Sequence, residues 1–232
     1  CDGALVADGT VGAPIVFTSL YDDLYGNPAD TNGDGATTTP ATGNWQYIRF
    51  TATSDDVTSV LYYCRVAYGA YYAYDSWSPG VWVTSASPRI TNNSIFKCQY
   101  GIRVDGDGAP IIDGNTFDNL TYAPIVMSVL SDPQISTSNT YTTNGYNAIA
   151  LMYETLSQNA RIKYRPNVGN PASPTFAYLP TGTLTVASGV TLTVDPQVVI
   201  KPSSSFSVFA VYGALNLVGS NSTTGRIFFT SR

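Results

Sequence analysis

The sequence predicts an all-β solenoid, a parallel β-helix of about ten coils interrupted by one irregular proline-rich excursion. Three observations carry that expectation. Short apolar triplets recur at a near-constant spacing, turn residues fall in matching rows between them, and the composition favours strands over helices. Of 232 residues, 44% are apolar and only 12% charged, with 17 Tyr and 20 Gly.

The clearest rows lie in the middle of the chain. Val81-Trp82-Val83, Ile102-Arg103-Val104, Ile125-Val126-Met127 and Ile149-Ala150-Leu151 begin 21, 23 and 24 residues apart. A second row, Pro88-Arg89-Ile90, Pro110-Ile111-Ile112 and Pro133-Gln134-Ile135, keeps the same period. So does a third, Asn93-Ser94-Ile95, Asn115-Thr116-Phe117 and Asn139-Thr140-Tyr141. Three short strands per repeat, each stacking on its counterpart at the ~4.8 Å strand spacing, are the requirement of a parallel β-coil. The recurring Asn93, Asn115 and Asn139 are read as a ladder of side-chain amides bonded from one coil to the next.

The flanks follow the same logic. Leu184-Thr185-Val186, Val190 to Val194, Val198-Val199-Ile200, Phe206-Ser207-Val208 and Leu215-Asn216-Leu217 are separated by Ser-Gly, Asp-Pro and Lys-Pro-Ser turns and read as further coils. Residues 152–180, with Pro166, Pro171, Pro174 and Pro180, are the irregular stretch. The chain also ends as it begins. Tyr212-Gly213-Ala214-Leu215 and then Ile227-Phe228-Phe229-Thr230-Ser231 restate Asp2-Gly3-Ala4-Leu5 and then Ile15-Val16-Phe17-Thr18-Ser19.

Several segments together resemble a known family: Pro14-Ile15-Val16-Phe17-Thr18-Ser19, Asp22-Asp23, Tyr25-Gly26, Asp30-Thr31-Asn32-Gly33-Asp34-Gly35 and Gly43-Asn44-Trp45 leading to Ile48. This succession is similar to the right-handed parallel β-helix proteins of the pectate-lyase-like superfamily, in their secreted or surface-displayed bacterial repeat-protein branch. The block Gly189 to Pro196 followed by Val198 to Lys201 resembles that branch's opening coils. The resemblance implies a right-handed helix and a single unit over residues 1–232 in circularly shifted order. Such scaffolds carry lyases, hydrolases, adhesins and inert fibres alike.

Charge narrows the partners. A net charge of −5 with 11 scattered basic residues leaves no stripe to neutralise a phosphate backbone, so nucleic acid is excluded as an expected partner. No apolar run reaches the ~20 residues of a membrane span.

Candidate chemistry is sparse. Asp30, Asn32 and Asp34, with Gly35 at the sixth place, have the alternating oxygens of a calcium loop, and Asp22 and Asp23 are the nearest further carboxylates. The twelfth position is Ala41 rather than Glu. A polar turn without metal is the competing reading. The absence of His removes Ser-His-Asp and Cys-His catalysis. Asp22-Asp23 and Asp55-Asp56 are adjacent pairs whose side chains diverge on a strand, so neither pair flanks a glycosidic bond. Arg161-Ile162-Lys163 resembles the basic tripeptide of pectin hydrolases, but their partner histidine is missing. Arg65, Arg89 and Arg103, near Asp105 and Asp107, keep a calcium-dependent lyase in the inventory.

Cys64 and Cys98, on comparable strands, are a candidate disulfide, with stacked thiols as the alternative. Cys1 is the odd cysteine, read as an intersubunit bond or a lipid anchor. Tyr68, Tyr71, Tyr72, Tyr74 and Trp77 form a candidate contact surface, against the alternative of internal packing.

Neither end carries an amphipathic helix or a proline-blocked strand, so the ends are expected to be joined to further copies head to tail. The expected function is a non-enzymatic extracellular or cell-surface filament, stalk or adhesin shaft. The alternative is a calcium-dependent lyase or polysaccharide-binding β-helix.

Overall fold

A computed structural model describes residues 1–71, 76–165, 176–203, 208–222 and 225–230. It shows 24 short strands and, among the described residues, no helix. Among these residues, therefore, no helix is long and apolar enough to cross a membrane.

The strands come in threes, one trio per coil. The first two coils contain β1 (Val6–Asp8), β2 (Ile15–Phe17) and β3 (Ile48–Phe50), then β4 (Val60–Tyr62), β5 (Cys64–Ala67) and β6 (Pro79–Thr84). The third and fourth contain β7 (Arg89–Thr91), β8 (Ser94–Phe96) and β9 (Tyr100–Asp105), then β10 (Ile111–Asp113), β11 (Thr116–Asp118) and β12 (Ile125–Met127). The fifth and sixth contain β13 (Gln134–Ile135), β14 (Thr140–Tyr141) and β15 (Ile149–Leu151), then β16 (Glu154–Leu156), β17 (Ala160–Ile162) and β18 (Ala177–Pro180). The last two contain β19 (Leu184–Val186), β20 (Thr191–Val194) and β21 (Val199–Ile200), then β22 (Phe209–Val211), β23 (Ala214–Leu217) and β24 (Phe228–Phe229).

On one face, every third strand pairs in parallel with the next along the whole stack. β3, β6, β9, β12, β15, β18, β21 and β24 form one continuous eight-stranded sheet. Eight stacked strands correct the expected ten coils. Dividing the chain by a minimal repeat overcounts, because 30 residues separate β2 from β3 and 14 separate β17 from β18. The predicted rows are in register: Ile102 sits opposite Val81 and Ile125, Ile90 opposite Ile112, and Ile95 opposite Phe117.

Alternation builds the core. On each strand the inward residue stacks on its counterpart, giving columns such as Leu61, Ile90 and Ile112, or Val66, Ile95 and Phe117, all fully enclosed. Corners between the columns require left-handed backbone. Tyr63, Asn92 and Gly114 take φ of +47°, +56° and +65° at the residue before the same corner position in three successive coils.

The other two faces are interrupted. β1, β4, β7, β10 and β13 form one sheet and β2, β5, β8, β11 and β14 another, but neither β13 nor β14 pairs with the sixth coil. β16, β19 and β22 form a separate sheet, as do β17, β20 and β23. The break falls inside the irregular stretch 152–180, which is therefore partly a regular layer; its residues 166–175 lie outside the described residues. Of the strand expected at 206–208, Phe206 and Ser207 lie outside the described residues, which include a strand at Phe209–Val211.

Candidate functional site

The Asn column occupies the corner before β8, β11 and β14. Asn115 Oδ1 accepts from Asn93 N at 2.9 Å and from Asn93 Nδ2 at 3.0 Å. Asn139 Oδ1 accepts in the same way from Asn115 N at 2.9 Å and Asn115 Nδ2 at 3.2 Å. Each amide also donates to the carbonyl of the preceding coil: Leu61, Ile90 and Ile112. All three side chains are buried, so every bond forms where water cannot replace it. The ladder is structural, and it leaves no reactive group exposed.

Cys64 continues that column, donating its backbone N–H to Asn93 Oδ1 at 2.8 Å. Cys98 lies five residues beyond Asn93, past the next corner. This offset corrects the expected pairing: all three cysteines are free thiols. Cys64 and Cys98 lie on successive coils but at different positions around them, and stacking brings together only residues in the same register. Burial pushes the Cys98 thiol up to about 12 and also raises that of Cys64. Cys1 is exposed at the first coil; its amine donates to the Arg49 carbonyl at 2.6 Å and its thiol to that of Gly3.

The expected aromatic contact surface falls within the described residues at three of its five positions. Tyr68 is buried at a corner against Phe96, which removes it from the surface. Tyr72 and Tyr74 lie outside the described residues. Tyr71 is exposed, and Trp77 packs on Tyr153 at 4.2 Å while its indole N–H reaches Thr181.

A feature not singled out from the sequence sits on the outer side of the eight-stranded sheet. Arg49, Trp82 and Arg103 occupy one register position on β3, β6 and β9. Both guanidinium groups lie 4.1 Å from the Trp82 ring centre. Asp105 binds the indole N–H and Arg103 Nε, each at 2.8 Å. The equal period of the rows places these residues on one line, but only the outward orientation of the middle residue shows that they stack. Arg103 is thereby committed to an ion pair and two indoles. The tripeptide 161–163 is similarly occupied, Arg161 by Asp195 and Lys163 by Asp132.

The acidic loop hangs outside β2 and β5. The Arg65 guanidinium lies 5.8 Å from the Tyr25 ring centre and 5.0 Å from that of Phe96, and Trp45 donates to the Ala67 carbonyl at 2.8 Å. The five candidate calcium ligands divide. Asp22 accepts from Thr18 Oγ1 and Leu24 N, and Asp30 from the N–H groups of Asp34 and Gly35, so both carboxylates are taken up by the loop's own donors. Asp23, Asn32 and Asp34 each retain an enclosed side-chain oxygen, Oδ1, that meets no donor. Burial, and then the charges of Asp30, Asp34 and Asp22, hold the Asp23 carboxyl above its ordinary range. Among the described residues, no three His, Cys, Asp or Glu side chains converge as a metal-binding group.

Stacked three-strand coils, an internal amide ladder and side chains occupied with one another define a class, the parallel β-solenoids. The chain belongs to the right-handed β-helix region family, which matches residues 55–172. No curated protein and no solved structure matches it.

Proposed function

We propose that this chain is a non-enzymatic segment of an extracellular or cell-surface shaft, lengthened head to tail by further copies of itself. The observation that supports this reading is the state of the last coil. Val211, Leu217 and Phe229 face inward in register with Val186, Val194 and Ile200 one coil earlier. Those three are fully enclosed, whereas Val211, Leu217 and Phe229 remain 41%, 46% and 48% exposed. Among the described residues, nothing covers the apolar columns where they reach the final coil. A further coil in the same register would enclose them and pair the free edges of β22, β23 and β24. Covering three half-exposed large side chains contributes about 3 kcal/mol, before the strand pairing.

The first coil offers the matching edges of β1 and β2 on two faces. Cys1 already lies along β3, its carbonyl accepting from Thr51 N at 3.4 Å, and so marks where the incoming coil would meet the chain.

Electron microscopy and sedimentation of the purified chain test the proposal. The expected result is concentration-dependent rods with an axial repeat of about 38 Å, eight layers at the strand spacing. Phe229→Asp should shift the population to single particles. A wild-type chain that stays monomeric at high concentration would overturn the reading.

A second reading, polysaccharide binding, draws on the aromatic side chains beside the eight-stranded sheet. Tyr122 stacks on Tyr100 at 5.1 Å, and Trp77 and Tyr153 lie in contact nearby. Retardation in gels containing an uncharged glycan, lost in Tyr122→Ala, would support this reading over the shaft.

A further inference from the structure

The terminal restatement places one short motif at both ends of the stack. Gly3-Ala4-Leu5 and Gly9 in the first coil correspond to Gly213-Ala214-Leu215 and Gly219 in the last, 210 residues on. Ile15 and Phe17-Thr18-Ser19 correspond to Ile227 and Phe229-Thr230-Ser231, 212 residues on. The two extra residues fall within one corner. Between β1 and β2, Thr10 and Ala13 exchange backbone hydrogen bonds of 3.1 and 3.2 Å. Between β23 and β24, at the matching place, Ser220 N donates to the Gly225 carbonyl at 2.8 Å. The inward phase is shared as well: Leu5, Ile15, Leu215 and Ile227 all pack against the core.

The glycines of the motif report what presses on each copy of it. A methyl group on Gly9 would lie 2.6 Å from the Tyr63 carbonyl of the second coil, so that coil requires glycine there. At the matching place Gly219 meets nothing closer than 3.4 Å among the described residues, an ordinary contact. The other pair is reversed. A methyl on Gly213 would run into the Ala187 and Val190 carbonyls of the coil before it, whereas one on Gly3 would meet no described atom within 4 Å. Neither Gly3 nor Gly219 takes a left-handed φ. Each is a glycine with no local need for one, standing where its counterpart is crowded by a neighbouring coil.

We propose that the end surface of β23 and β24 receives the second coil of another copy of this chain, joined so that β23 and β24 take the place of that copy's β1 and β2. In the first coil Ala7, Ile15 and Phe17 lie opposite Leu61, Cys64 and Val66 of β4 and β5. The incoming β4 and β5 would set the same three residues over Leu217, Ile227 and Phe229. Their Tyr62–Tyr63 corner would close over Gly219 as it closes over Gly9, whose N–H donates to the Tyr62 carbonyl at 2.8 Å. One coil thus answers both the exposed apolar side chains and the unexplained glycine. β23 is the twenty-second strand after β1, seven trios and one strand over. Each copy therefore advances about 35 Å at the strand spacing and turns by one third relative to the last. The loop between β2 and β3 would face a new side in each of three successive copies. This inference rests on the shaft reading for its role and adds to it the register and the turn.

The test extends the full chain after Ser231 with residues 20–232 and compares it with the wild-type chain. Small-angle scattering should show the extended chain as one straight rod of about 70 Å, about fifteen layers at the strand spacing. Gly219→Ala should leave the Tm of the wild-type chain unchanged or slightly raised. In the extended chain the same methyl meets a carbonyl and should lower Tm by roughly 2–5 °C. Circular dichroism follows both unfolding transitions. An extended chain that scatters as two jointed particles, or that does not fold, would overturn the register. So would a Gly219→Ala effect of equal size in the two chains. The shaft reading fails separately: a monomeric wild-type chain removes it, whereas wild-type rods beside an uncoupled extended chain would leave it standing and remove only the register.

Discussion

Replacing Asn115 by alanine tests the amide ladder at its centre. The wild-type side chain accepts from the backbone N–H of Asn93 and from its Nδ2, and donates to the Ile90 carbonyl and to Asn139 Oδ1. Alanine leaves two buried donors of Asn93 without an acceptor: the backbone N–H and one hydrogen of the amide. The other amide hydrogen keeps Leu61. Asn139 Oδ1 keeps the backbone N–H of residue 115. At about 1–3 kcal/mol per unsatisfied buried group the loss is about 2–6 kcal/mol, or a fall in Tm of roughly 5–20 °C for a chain of this length. Counting donors in the same way, Asn93→Ala orphans one, the Cys64 N–H, so it should cost about half as much. Thermal and urea unfolding followed by circular dichroism read both variants. If Asn115→Ala matched wild type within about 0.5 kcal/mol, or Asn93→Ala proved the more damaging, the bond accounting would be refuted.

Three further outcomes follow from the geometry. In the native protein a thiol reagent at mildly alkaline pH should label Cys1 alone, with Cys64 and Cys98 reacting only after unfolding; rapid labelling of all three would contradict their burial. Burial raises the Glu154 carboxyl, although Val129 N and Ser128 Oγ donate to it. Its ionised form therefore costs stability at neutral pH, and this cost is relieved as pH falls through the raised folded value, so the Tm of Glu154→Gln should vary less with pH than that of wild type on the acid side of neutrality. Gly101→Ala should destabilise by about 1–3 kcal/mol, because the new methyl would lie 2.5 Å from the Pro124 carbonyl and 2.7 Å from the Phe117 ring; an unchanged unfolding midpoint would show that the core yields there.

The rows of triplets made the stacking legible because strand pairing in a solenoid repeats one register, and a register leaves a period in the chain. The same rows located the Asn column. They misled where residues from different parts of a coil resembled one another: Cys64 and Cys98 each stand three residues after a core Leu or Ile, yet Cys64 opens β5 whereas Cys98 lies beyond β8. The acidic loop was visible as a motif, but its division into spent and free oxygens depends on which donors the folded loop brings to Asp22 and Asp30.

The terminal restatement shows the limit most clearly. Leu5-Val6-Ala7 leads into β1, whereas Leu215-Asn216-Leu217 lies in β23, a strand of the second position in its trio. Composition and periodicity alone determined that the chain forms stacked parallel coils with an internal amide column, because those features are local and repeat. The number of layers, the interruption of two faces after β13 and β14, the stacking of Arg49, Trp82 and Arg103 and the exposed apolar columns of the last coil were decided only by the tertiary structure. Each depends on how much chain leaves the coil between strands, and excursion length carries no periodic signal.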